Sequence, residues 1–190
     1  AEPPKTAGAD GATGQPTPTE KPEVVDKGPT LEELAAEKQA DFDQAFDLYM
    51  SGDGGGKRQG LASLSRLGDA GAFLLNKKFT ETEDTQKVMA IVDALGRTRG
   101  AYASECLAGL FSDARAGVRR KAASAIVLQG AGAAKALEAA MESTNEMVRA
   151  CAVSAAGQMR MSALRPKVHQ LLGDENALVR MNVASAIGGG

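Results

Sequence analysis

With 190 residues, no Trp, two Tyr and five Phe, the chain has room for one domain and a tail, and must build its core from Ala, Leu, Val, Ile and Met. A net charge of −2 argues for neither a nucleic-acid partner nor a membrane surface, and no apolar run approaches the ~20 residues of a membrane span. The charge is unevenly placed: residues 31–50 hold one lysine against six carboxylates, whereas residues 51–190 hold eighteen basic against thirteen acidic side chains, a net +5.

The segment 1–29 is a Pro/Thr/Gly-rich stretch with almost no large apolar side chain. It cannot bury enough surface to offset the entropy of ordering it, and is expected to be a disordered tether. Its opening, "AEPPKTAGAD", has the look of a chain trimmed behind a small residue by a signal peptidase, which predicts a periplasmic or cell-envelope location, with the cytoplasm as the alternative.

Thr30 begins "TLEE", a Thr-x-x-Glu capping box. Leu31, Leu34, Ala35, Phe42, Ala45, Phe46 and Tyr49 recur at three and four, predicting an acidic capping helix over 30–51 whose aromatic face covers the first repeat unit. "SGDGGGKRQG" reads as the loop that ends it. A Walker phosphate loop is excluded there, because Ser51 stands for the first Gly, Arg58 for the Ser/Thr, and a helix rather than a strand precedes.

Over 57–190 the chain repeats. The phrases "VRRKAASAIV", "VRACAVSAAG" and "VRMNVASAIG" share one pattern, and the feet of successive phrases fall at Gly68, Gly96, Val127, Gly157 and Gly188, at intervals of 28, 31, 30 and 31. Such a period marks an array of two-helix units, here about four and a half. Ala122, Ala125 and Ile126, with their counterparts Ala152, Ala155, Ala156 and Val183, Ala186, Ile187, form the small stripe of each first helix. Leu107, Leu110 and Phe111, then Leu137 and Met141, then Val168, Leu171 and Leu172, form the buried face of the second helices. Asp113, Ser143 and Asp174 each precede the next unit's Val by five residues, placed to cap the incoming helix or to reach Arg119, Arg149 and Arg180. An inter-repeat Asp–Arg ladder is the expectation, with Ser143 the rung that lacks its acid.

These features resemble HEAT-like repeats of the short-unit type also found in phycobilisome lyase subunits, over roughly residues 57–190. The chain departs from that pattern at Lys87-Val88, where Val-Arg is usual, and at Val127, where Gly is usual. The resemblance implies an all-α solenoid, a right-handed stack of antiparallel helix pairs used as a binding surface or scaffold. It does not imply catalysis. Iron-binding HEAT proteins use paired His-Glu motifs, and none is present.

No residues point to catalysis, a metal or a cofactor. His169 is the only histidine and has no ligand-spaced companion. Cys106 and Cys151 fall a unit apart, too far for a disulfide, and are expected as free thiols, Cys106 half-buried and Cys151 nearer the surface. No serine has a His and an acid to activate it. One column suggests contact instead: Ser65, Ser124, Ser154 and Ser185, with Asp93 among them, sit off the apolar stripe on successive first helices, where long polar chains are the better helix formers. The column reads either as positions where a small side chain suits crowding by a neighbouring turn, or as a smooth strip against which a protein partner, or the chain's own N-terminal tether, can lie. Val183 and Ile187, with no second helix after them, are a further expected contact surface, and the N-terminal tail a third. The expected function is a non-catalytic scaffold or structural subunit, contacting other protein subunits rather than nucleic acid; the alternative is a lyase-like subunit that positions a chromophore on its target.

Overall fold

The computed structural model describes residues 28–188, so the expected tether lies almost wholly outside the described residues. Thr30 starts helix α1 (Leu31–Glu37) as its capping box requires: Thr30 Oγ1 accepts from Glu33 N at 3.2 Å, and Glu33 Oε2 accepts from Thr30 N at 2.7 Å. The Thr30 amide, with the Thr30 hydroxyl donating to the same Oε2 at 3.1 Å, holds the Glu33 carboxyl below its ordinary pKa. The anticipated single helix is broken at Lys38, whose amide donates to Ala35 O at 3.2 Å, and α2 (Gln39–Ser51) comes next. The break lets α1 lie on α4 (Gly68–Thr80) while α2 lies on α3 (Gly54–Arg66). Phe42 and Ala45 are buried, with Phe46 and Tyr49 packed against the core beside them.

The glycine run is not a loop. Asp53 caps α3 by accepting from the amides of Gly55 and Gly56 at 3.0 and 2.8 Å, and the glycines form the first turn. A good N-cap offsets the poor helix propensity of three glycines. Further along, Gly60 is required by packing, because a Cβ there would stand 2.5 Å from Tyr49 N and 2.6 Å from Ala45 O.

From α3 onward the helices alternate between two layers. The first layer holds α3, α5 (Thr85–Arg97), α7 (Ala116–Val127), α9 (Glu146–Gln158) and α11 (Ala177–Gly188). The second holds α4, α6 (Ala101–Gly109), α8 (Ala134–Met141) and α10 (Arg165–Gln170), joined by short 3-10 turns. Each first helix packs on the next one, and each second helix likewise. Among the described residues there is no strand. The chain is an all-α solenoid.

Small residues in the first layer set its spacing. A Cβ on Gly96 would stand 2.7 Å from Ala125 Cβ, and one on Gly157 would stand 2.6 Å from Ala186 Cβ. Helices whose ridges are this low approach closely. Val127 occupies the same place in the intervening unit, and α7 packs on α9 less extensively than α9 packs on α11. Large side chains fill the space between layers: Leu64, Leu75, Ile91, Leu95, Leu107, Phe111, Ile126, Leu137 and Met141 are all essentially inaccessible. Leu172 is the exception to the expected second-helix face. It is 50% exposed, where its counterparts Phe111 and Met141 are sealed, because a following unit covers those two and no following unit lies among the described residues.

Candidate functional site

The Val-Arg phrases do one job in three places. Val118, Val148 and Val179 are buried. The Arg after each reaches back to the loop that precedes its own helix: Arg119 Nη1 donates to the carbonyls of Asp113 and Ala114 at 2.7 and 2.9 Å, Arg149 Nη1 to those of Ser143 and Thr144 at 2.9 and 3.1 Å, and Arg180 Nη1 to those of Asp174 and Glu175 at 2.7 and 2.9 Å. Each guanidinium thus clamps an inter-unit loop whose carbonyls would otherwise lack partners.

The acids play a different part from the ladder expected of them. Asp113 turns to its neighbour, accepting from Arg115 N at 2.8 Å and pairing with the Arg115 guanidinium at 2.8 and 2.9 Å. Only Asp174 reaches across units, bidentate with Arg149 at 2.8 and 2.9 Å. Ser143, which Arg119 would meet in that geometry, has no carboxylate. The ladder therefore has a single rung, and it is buried: the side chains of Arg149 and Asp174 are 9% and 5% exposed. The Arg149 hydrogen bonds hold the Asp174 carboxyl below its ordinary pKa, with the Asn176 amide and Arg180 adding to the effect.

Asp113, Ser143 and Asp174 also share an i to i+2 turn, each accepting from the backbone amide two residues on at 2.8, 3.2 and 2.9 Å. In two units that residue is Asn145 or Asn176, which caps the helix by accepting from Met147 N or Leu178 N at 2.9 and 2.8 Å. The cap is thus relayed through two short side chains.

Three cross-unit contacts have no signature in the sequence. The buried Gln129 amide donates to the carbonyls of Leu95, Gly96 and Thr98 at 3.2, 2.9 and 3.1 Å, closing the end of α5 from the end of α7. Asp69 on α4 accepts from Tyr102 N at 3.0 Å, at the start of α6. Tyr49 Oη donates to Ala90 O at 3.0 Å, and burial, with the nearby Asp93 charge adding to it, pushes its pKa up to about 12.

The serine column divides. Ser124 and Ser154 line one groove, of ≈ 470 Å³, that crosses α7, α9 and the start of α11. Its walls include Ala123, Met147, Ala150 and Leu178, with Arg119 and Arg120 at its edge. Ser65 lies in another groove, beside Arg58 and Arg97. Ser185 is exposed and borders neither. Asp93 is held on two sides, by Lys121 Nζ at 3.0 Å and Arg97 Nε at 3.3 Å. Burial opposes its charge, but those two cations keep its carboxyl below the ordinary pKa.

The expected contact surface at Val183 is corrected. Val183 is fully buried, because the stripe of α11 faces back onto α9. Ile187, at 41% exposure, is the part that remains open.

Cys106 and Cys151 are both free and half-buried, and burial pushes the first up to about 11 and raises the second. Thiols so shifted are protonated and poorly nucleophilic at neutral pH. His169 is exposed. No cluster of three His, Cys, Asp or Glu side chains among the described residues is arranged to hold a metal, and no described helix is long and apolar enough to cross a membrane.

The two-layer stack and its repeated clamps agree with the comparison with known families. Residues 133–189 match the family of HEAT repeats. Over this stretch the chain is built of HEAT-like repeats. The matched stretch is α8 to α11, where Arg149–Asp174 and Gly157–Ala186 lock successive HEAT-like units together. No curated protein sequence matches the chain. HEAT repeats are generally protein-interaction scaffolds and typically non-enzymatic.

Proposed function

We propose that this HEAT-like array is a non-catalytic scaffold or structural subunit that holds a partner protein against its first-helix layer. The observation that carries the reading is the α7–α9–α11 groove, where Ser124 and Ser154 recur one unit apart among Ala123 and Ala150. Short side chains lose little rotamer entropy on contact and let another backbone approach closely. Thiols that stay protonated near neutral pH fit a binding role, as does the way the arginine clamps and helix caps are spent on holding units in register. A chromophore-positioning role would call for aromatic walls, and none of the residues lining this groove is aromatic.

The test is capture of partners from native extract by cross-linking mass spectrometry, using the wild-type chain and a Ser124→Glu/Ser154→Glu variant. The variant should keep its helical circular dichroism and lose the partners cross-linked to α7 and α9. Unchanged capture would remove the groove from the interface.

A further inference from the structure

Arg58 meets Arg97 and Arg99, some forty residues on in the sequence, in one groove of the first-helix layer. Arg58 on α3, Arg97 at the end of α5 and Arg99 just beyond it line a cavity of ≈ 440 Å³ together with Leu61, Ser65 and Leu128. Arg97 is paired with Asp93, which it shares with Lys121. Arg58 and Arg99 are exposed, and neither guanidinium makes a hydrogen bond or ion pair with a described residue. No carboxylate lines the groove. Gathered like charges repel one another and raise the local potential for an anion, more so beside apolar walls. Those walls are present: Leu128 is 47% exposed and Leu61 packs against the core.

We propose that this groove binds an acidic peptide segment of the partner protein, a refinement that rests on the scaffold reading. Two unpaired guanidinium forks suit carboxylates, which they can grip with two parallel hydrogen bonds. An aliphatic side chain of the same segment covers Leu61 and Leu128, and the Ser65 hydroxyl is on hand for its backbone. The cavity falls within the range of about 300–1,000 Å³ common for small-ligand sites, enough for a few side chains. A nucleic acid is the poorer fit, because no aromatic ring lines the groove to stack a base.

Fluorescence anisotropy with the full chain tests this, using a fluorescein-labelled peptide of repeated Glu-Glu-Leu, its Gln-Gln-Leu counterpart and a short single-stranded oligodeoxynucleotide. The acidic peptide should bind, the Gln peptide should not, and added salt should weaken binding. Arg58→Ala/Arg99→Ala should weaken it by about tenfold or more, and Arg58→Lys/Arg99→Lys by less, since charge is kept and the fork is lost. Neither arginine holds the fold, so circular dichroism should be unchanged; the Lys variant decides the matter if the Ala variant is unstable. Equal affinity of wild type and both variants overturns the proposal, as does tighter binding of the oligonucleotide. Concentration-dependent self-association that Arg58→Ala/Arg99→Ala abolishes would make the occupant a second copy, and overturns it too. The two readings separate cleanly. A native partner lost by Ser124→Glu/Ser154→Glu but kept by Arg58→Ala/Arg99→Ala leaves the scaffold and removes this site; a peptide bound by a chain that captures no partner does the reverse.

Discussion

Gly157 shows how one side chain, or its lack, sets a helix spacing. A Cβ there would stand 2.6 Å from Ala186 Cβ and 2.9 Å from Ala186 Cα, so any larger residue must push α11 off α9. Gly157→Val is expected to lower stability by about 1–3 kcal/mol through overpacking. Gly109 is the matched control, because nothing lies within 4 Å of a Cβ built at that helical position. Gly109→Ala should be neutral or stabilise by up to about 1 kcal/mol, by removing backbone freedom from the unfolded chain. Urea unfolding of the two variants beside wild type checks both signs. Equal losses would mean that helix propensity, not the α9–α11 crossing, governs these sites.

At the scale of elements, the Arg149–Asp174 pair is what joins the loop before α9 to the loop before α11. It is nearly inaccessible and fully hydrogen-bonded, so removing one partner strands the other charge. Its acid dependence has a definite sign. Asp174 has a lowered pKa in the folded state, so its contribution is complete above the ordinary carboxylate value near 4 and is lost as pH falls through the depressed folded value. Asp174→Asn should therefore cost about 2–4 kcal/mol at neutral pH and flatten the fall of stability below about pH 4. Thermal melts of wild type and variant from pH 7 down to pH 3 would show it. A parallel acid limb in both proteins would move the pH dependence to the other carboxyls with a lowered pKa, Asp113, Asp93 and Glu33.

For the molecule as a whole, a stack in which units touch only their neighbours has no single centre of stability. Protection should track local burial. Helix α5 contributes Val88, Ile91, Val92, Ala94 and Leu95 to the core, all 0–1% exposed, and its end is closed by Gln129. Helix α10 has six residues between two 3-10 turns, and only Val168 of them is buried. Native-state hydrogen exchange is expected to be at least about tenfold slower in α5 than in α10. Uniform exchange along the chain would mean that the array opens as one unit.

Repetition made the architecture readable from the residues alone. The spacing of Val-Arg phrases, the Ala stripe and the Thr30 capping box are local, periodic features, and helix formation with burial of one face arises from them without knowledge of any neighbour. The serine column was readable as a pattern for the same reason. What a residue meets across a unit boundary was not. Asp113, Ser143 and Asp174 look alike in the chain, yet only Asp174 finds a cross-unit Arg, because pairing needs an acid one unit after a clamping Arg and Arg119 has Ser143 in that place. Val183 looked open because its helix comes last, and is buried because its stripe faces backward. Gln129, a lone polar residue with no counterpart in other phrases, carried no periodic signal at all. The grouping of Arg58 with Arg97 and Arg99 likewise depends on α3 lying beside α5, so only the tertiary structure decided where the positive charge of the array gathers.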